Sequence, residues 1–233
     1  MTKAETPLPR DFVRLAEVAP DVRQDMRYAD AGNFTGRTVP GYSKPVCILA
    51  RPVALALQRV QARLAPQGLS LVVFDCYRPR RAVLAFLGWA QRPAESAEAR
   101  WFWPRIAKSD IVQQGYVARQ STHSLGTAVD LSIVRANAEA ETGRPRLPVL
   151  TGPCHLSAND RGPTGALDMG TSFDCFDVAS HTAHANVGVG AKANRALLVR
   201  EMTAEGFRNY PREWWHFSMS VPGFEQAQDF EVE

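Results

Sequence analysis

The chain has no run of five lysines or arginines, and its formal net charge is only +3. That balance predicts neither a nucleic-acid partner nor a footprint for anionic membranes. No stretch of eighteen apolar residues occurs, so no membrane span is expected. None of the four cysteines falls in a CxxC or CxH pair, which argues against a thiolate zinc site. Internal repeats and low-complexity linkers are absent as well. The polar, proline-containing segment from Met1 to Arg10 has no apolar h-region, so the chain as it stands reads as cytoplasmic. Cys47, Cys76, Cys154 and Cys175 keep a second reading open. They are either inert thiols in a reducing cytoplasm or two disulfides in a periplasmic chain whose leader was removed. In the second case the pairs Cys47–Cys76 and Cys154–Cys175 close the shortest loops.

What is present is an ordinary globular composition, 45% hydrophobic over 233 residues, enough to bury a sizeable core. We read residues 1–233 as a single domain, with 1–20 an N-terminal extension and 135–174 a long irregular loop. Val53, Leu57, Val60 and Leu64 recur at helical spacing, and Gly68 follows as a stop, which predicts a helix over 52–65. Leu69 to Phe74 reads as a buried strand. Pro79 opens a second helix reaching about Trp89. Residues 127–134 alternate, with Asp130 on the polar face of a half-buried strand. A helix over 191–205 ends at Gly206, and Phe207–Tyr210 with Trp214–Met219 forms a closing strand pair. Helices and strands mix without a βαβ rhythm. The fold expected is α+β, a central, mostly antiparallel sheet flanked by helices.

Two motifs carry the chemistry: Ser121-Thr122-His123-Ser124-Leu125-Gly126-Thr127-Ala128-Val129-Asp130, and Glu213-Trp214-Trp215-His216. A hydrolytic zinc site takes three protein ligands, commonly imidazole and carboxylate, and leaves one position open. His123 and Asp130 supply one of each, Gly126 lets the chain turn between them, and His216 completes the set. Glu213, a carboxylate outside that set, suits a general base. It lies three positions before His216, so a bend or bulge near the tryptophans is needed to bring both into one site. His181 and His184, three apart, have no third ligand at a fitting spacing and read as surface or supporting residues.

The two motifs together resemble the zinc D-alanyl-D-alanine dipeptidases of the vancomycin-resistance type, which are related to zinc D-Ala-D-Ala carboxypeptidases and to hedgehog domains. Asp25-Met26-Arg27-Tyr28-Ala29, Asp75-Cys76-Tyr77-Arg78-Pro79 and Met169-Gly170-Thr171-Ser172-Phe173-Asp174 extend the likeness over most of the chain. The resemblance implies a hedgehog/DD-peptidase-like fold. It implies one Zn2+ per chain on His123, Asp130 and His216, with Glu213 as the base and Arg78 stabilising the oxyanion. It also implies that Asp174 receives the free amine of a small dipeptide substrate. Tyr28, Phe86, Ser121 and Thr122 then line the substrate pocket. Thr122 stands where a serine is common in the family. The stretch between Asp130 and Asp174 is longer than in the compact members, and it contains Cys154. The activity implied is hydrolysis of D-Ala-D-Ala to two D-alanines in cell-wall precursor turnover. Two alternatives stand beside it: another peptidoglycan DD- or LD-peptidase with the same zinc core, and a zinc-stabilised binding module without turnover. Glu213 and Arg78 argue against the module, because a structural zinc site needs neither.

Overall fold

A computed structural model describes residues 7–93, 98–137, 150–161 and 165–233. Strand β1 (Phe12–Arg14) runs into a single helical turn at Leu15–Val18, and β2 (Arg23–Gln24) follows. Strand β3 (Ile48–Ala50) pairs antiparallel with β1 and feeds directly into helix α1 (Arg51–Leu64). Pro52 at the helix start costs nothing there, because the first-turn amides have no intrahelical partner. Val53, Leu57, Val60 and Leu64 form the buried stripe of α1. Gly68 stops the helical run in the left-handed region at φ +68°. Strand β4 (Leu69–Asp75), helix α2 (Arg80–Ala90), strand β5 (Ala128–Arg135), helix α3 (Val189–Thr203), and strands β6 (Arg208–Asn209) and β7 (His216–Ser218) complete the frame. The expected elements appear within a few residues of their predicted limits.

The main sheet has the order β2-β4-β5-β7-β6. Only the β2–β4 pair is parallel, so the architecture is α+β around a mostly antiparallel sheet. One face carries Leu71 and Val73 of β4, Val129, Leu131 and Ile133 of β5, and Phe217 of β7. These pack with the buried stripes of α1 and α3 into the main core. Arg63 of α1 clasps Glu201 of α3 and Glu205 just beyond its end, at the rim of that layer.

The other face departs from expectation. β5 is buried on both sides along its whole length except Arg135, so it is not the half-exposed strand its alternation suggests. The reason is the stretch at 165–177, whose Ala166 and Phe173 lie over that face in place of a helix. Phe173 stacks on Phe74, ring centres 4.7 Å apart, and Ala166 packs with Val72 and Val134. The described end of the irregular loop, from residue 165, is thus a layer of the fold, and Asp130 is only 2% exposed.

Candidate metal centre and active site

The site is assembled at one end of the three central strands. A break in register between Val73 and Asp75 sets Asp75 opposite Asp130, and Asp130 pairs directly across the next ladder with His216. Such a bulge re-aims the side chain that follows it. His123 arrives from a short 3-10 turn, Thr122–Leu125, which Ser121 caps by accepting the His123 amide hydrogen at 3.3 Å. Gly126 then turns the chain into β5 at φ +75°, and a Cβ there would lie 2.3 Å from the Phe12 ring. Glu213 is brought back towards His216 by two successive tight turns, with the Glu213 and His216 amides bonded to Tyr210 and Glu213 carbonyls. The expected bend is therefore a turn before β7, while the bulge lies in β4.

His123 Nε2, His216 Nδ1 and Asp130 Oδ1 lie 3.0 to 3.2 Å from one another. Ligands at about 2.0–2.1 Å on a tetrahedral ion stand roughly 3.3 Å apart, so the trio fits a metal with a slight adjustment. The tautomers fit too. His123 Nδ1 lies 2.6 Å from the Cys76 carbonyl, which fixes the proton there and leaves Nε2 free to ligate. His216 Nε2 faces Thr122 Oγ1 at 3.4 Å and its Nδ1 faces the trio. Burial keeps His216 below its ordinary pKa, against the pull of Asp130, so the ring is neutral as a ligand must be. Burial would raise Asp130, yet His123 and His216 outweigh it and hold the carboxyl well below the usual range.

Around the trio, Arg78 is locked in place. Its Nε donates to Asp75 at 2.8 Å, one Nη lies 3.4 Å from Asp130, and its guanidinium sits over the rings of Tyr28 and Phe86 at 5.3 and 5.2 Å. Burial opposes its charge, but Asp75 and its neighbours raise the guanidinium pKa further. Asp75 is fully buried and also accepts from Tyr42 at 2.6 Å. Asp75 falls inside a sequence motif that assigns it no role, and Tyr42 carries no sequence signal at all. Their part is set by the β4 bulge, which spacing does not reveal.

Asp174 accepts from the Tyr28 hydroxyl at 3.0 and 3.1 Å. Burial pushes its carboxyl well above the ordinary range, and Asp130 adds to the push. Enclosure raises Glu213 in the same way, with Asp130 and Asp174 contributing and Arg78 opposing. His123, Asp130, His216, Glu213, Arg78, Asp174, Tyr28, Phe86, Ser121 and Thr122 all border one cavity of about 370 Å³. Two of these lining residues also support the candidate ligands, since Ser121 caps the His123 turn and Thr122 faces the His216 ring. The cysteines follow the second of their two readings, paired as Cys47–Cys76 and Cys154–Cys175. Among the described residues, His181 and His184 belong to no three-ligand cluster, and no helix is long and apolar enough to cross a membrane.

A family model described as D-ala-D-ala dipeptidase matches residues 9–142 and 155–232. The D-alanyl-D-alanine dipeptidase of Enterococcus faecalis is 34% identical over 208 residues, covering 89% of this chain and 91% of the relative. That of Streptomyces coelicolor is 32% identical over 209 residues, covering 90% and 91%. That of Escherichia coli is 29% identical, covering 90% and 84%. The match takes in both ends of the cavity, from Tyr28 to His216, and on that breadth the chain belongs to the D-ala-D-ala dipeptidase family of peptidases.

Proposed function

We propose that this protein hydrolyses the free dipeptide D-Ala-D-Ala to two D-alanines, using one Zn2+ held by His123, Asp130 and His216. The observation that carries the reading is the company the three ligands keep. Glu213, Arg78 and Asp174, two carboxylates and a fixed cation, share one cavity with them. Zinc, when bound, supplies Lewis acidity towards a carbonyl and makes water a better acid. The remaining work falls to the chain. Glu213, outside the ligand set, takes a proton from the attacking water and returns it to the leaving amine. Arg78 faces the charge that develops on the carbonyl oxygen, and because Asp75 and the two rings already hold it, little reorganisation is needed. Asp174, with the Tyr28 hydroxyl, receives the substrate ammonium and so measures length from that end. Phe86 forms the apolar wall against Arg78, and Ser121 and Thr122 also line the cavity, Thr122 facing His216.

The α+β frame supports a hedgehog/DD-peptidase-like fold, and a main core drawing on residues from Val13 to Phe217 supports one domain over 1–233. The two disulfides favour the periplasmic alternative over the cytoplasmic one, since such bonds persist in oxidising compartments. Cell-wall precursor turnover is the setting that suits this substrate. The test offers the zinc-loaded protein D-Ala-D-Ala, L-Ala-L-Ala and a D-Ala-D-Ala-terminated pentapeptide, and measures free alanine. Release from the first alone is expected. Comparable release from the pentapeptide would replace the dipeptidase reading with a longer-stem peptidase.

A further inference from the structure

Asp174 stands in a position that the backbone does not favour. Its φ is +58°, one of two non-glycine residues in the left-handed region among the described residues. Its carboxyl is buried beside the like charges of Asp130 and Asp75. Tyr28 donates to it, but a single hydroxyl does not fix where the main chain runs. The loop that carries it is anchored at its ends by the buried guanidinium of Arg195. That group donates to the carbonyls of Met169, Ala179 and His181 at 2.7 to 2.8 Å. Asp174 lies midway, five residues from Met169 and Ala179.

The middle of the loop is held by Cys154 and the strip next to it. The Ser172 amide donates to the Cys154 carbonyl at 3.0 Å, and Cys175 is bonded to Cys154 through sulfur. Cys154 therefore grips the chain on both sides of Asp174. It is itself seated by its amide on the Trp101 carbonyl at 2.9 Å. The neighbouring Phe102 carbonyl takes the Phe176 amide at 2.8 Å. On the far side, the Cys175 carbonyl accepts from the Ser180 hydroxyl at 2.6 Å. Both cysteines are fully buried. Cys154 is also the last residue of the stretch, 143–154, that the family model leaves unmatched. The gripping residue thus lies outside the part of the chain that the family model matches, while the residue gripped lies within it.

We propose that the Cys154–Cys175 disulfide is a positioning device for substrate binding, holding the Asp174 carboxylate at a set distance from the metal centre. This rests on the reading that Asp174 receives the substrate amine. The bond does not enter the reaction. It limits how far the amine end of the dipeptide can wander, so its effect belongs in KM and in discrimination at the amine.

The experiment compares the zinc-loaded wild type with the Cys154→Ser/Cys175→Ser double variant and with Asp174→Asn. The substrates are D-Ala-D-Ala and its N-acetyl derivative. The double variant is expected to raise KM for the free dipeptide about tenfold, to lower kcat less than about threefold, and to narrow the preference over the N-acetyl form. A lower Tm with unchanged KM and unchanged preference would show a merely structural bond and overturn the proposal. If Asp174→Asn raises KM while the double variant does not, the clamp fails and the amine reading stands. If Asp174→Asn leaves KM unchanged, the amine reading fails and the clamp falls with it. Should the double variant not fold, partial reduction of the wild type in zinc-buffered phosphine replaces it, with alkylation and mass spectrometry locating the opened bond. KM rising in step with labelling of Cys154 and Cys175 supports the device, and a flat KM over the same labelling overturns it.

Discussion

Asp75 shows how much of the site is decided by a single side chain. Its two carboxylate oxygens meet Arg78 Nε and the Tyr42 hydroxyl, and it lies 3.5 Å from His123 Nδ1. Asp75→Asn keeps the volume but removes the charge that holds Arg78, and sets an amide hydrogen against one of two donors. Breaking one side of a buried ion pair leaves the other uncompensated. The expected outcome is a fall in kcat of roughly a hundredfold with zinc content retained, the size associated with losing one placed transition-state donor. Turnover and metal analysis on the same sample check it, and unchanged kcat would free Arg78 from dependence on Asp75. The residues proposed to touch the reaction are readable in the sequence because zinc chemistry restricts their types and order. His123, Asp130, His216 and Glu213 follow from two short strings. Asp75 and Tyr42 do not, since the contact between them joins residues thirty-three apart and depends on a bulge.

Among the elements, the helices are the most legible, because α1 and α3 each bury a stripe at helical spacing against one sheet face. The strands β2 and β6 have two residues each, too short for any alternation to appear. β5 misleads for a different reason. Its Asp130 and Ser132 look like a solvated face, but both are buried, with Ala166 and Phe173 packed on the same side of the sheet, and no periodicity around those two residues announces a layer. The join between the Thr122–Leu125 turn and β5 is the tightest element-level constraint on the metal centre. Gly126→Ala would meet the Phe12 ring and a disfavoured positive φ together. We expect a loss of at least about 1 kcal/mol in stability. Zinc affinity should weaken as well, because His123 and Asp130 lie on either side of the turn. Denaturation and zinc titration test both parts, and an unchanged zinc affinity would contradict the role given to this turn.

For the whole molecule, the metal and the pH response are linked. Burial raises the folded-state pKa of Asp75, Asp174 and Glu213. Each binds its proton more tightly folded than unfolded. Their contribution therefore favours folding at low pH, and it declines as pH rises from about 4 through the folded pKa. Asp130 runs the other way, adding stability above the ordinary carboxylate range that is lost as pH falls through its lowered pKa. His216, lowered by burial, acts only below about 6.5. Above about pH 6.5 the raised carboxyls are the groups whose titration still bears on folding, and the sign of their contribution makes metal-free protein no more stable at pH 9 than at pH 7. Saturating zinc should reduce any loss over that interval and add about 2.7 kcal/mol at a hundred times Kd. Urea denaturation with and without chelator at both pH values checks this, and a chelator that leaves the midpoint unmoved would contradict a metal on the folded state.

The most direct test of a zinc dipeptidase with a carboxylate base is Glu213→Gln, assayed for kcat on D-Ala-D-Ala beside its zinc content. Glutamine keeps the shape and cannot take the proton. The expected result is full zinc occupancy with kcat lower by about two to four orders of magnitude. Near-normal turnover in a zinc-loaded variant would remove Glu213 from the chemistry and contradict the mechanism.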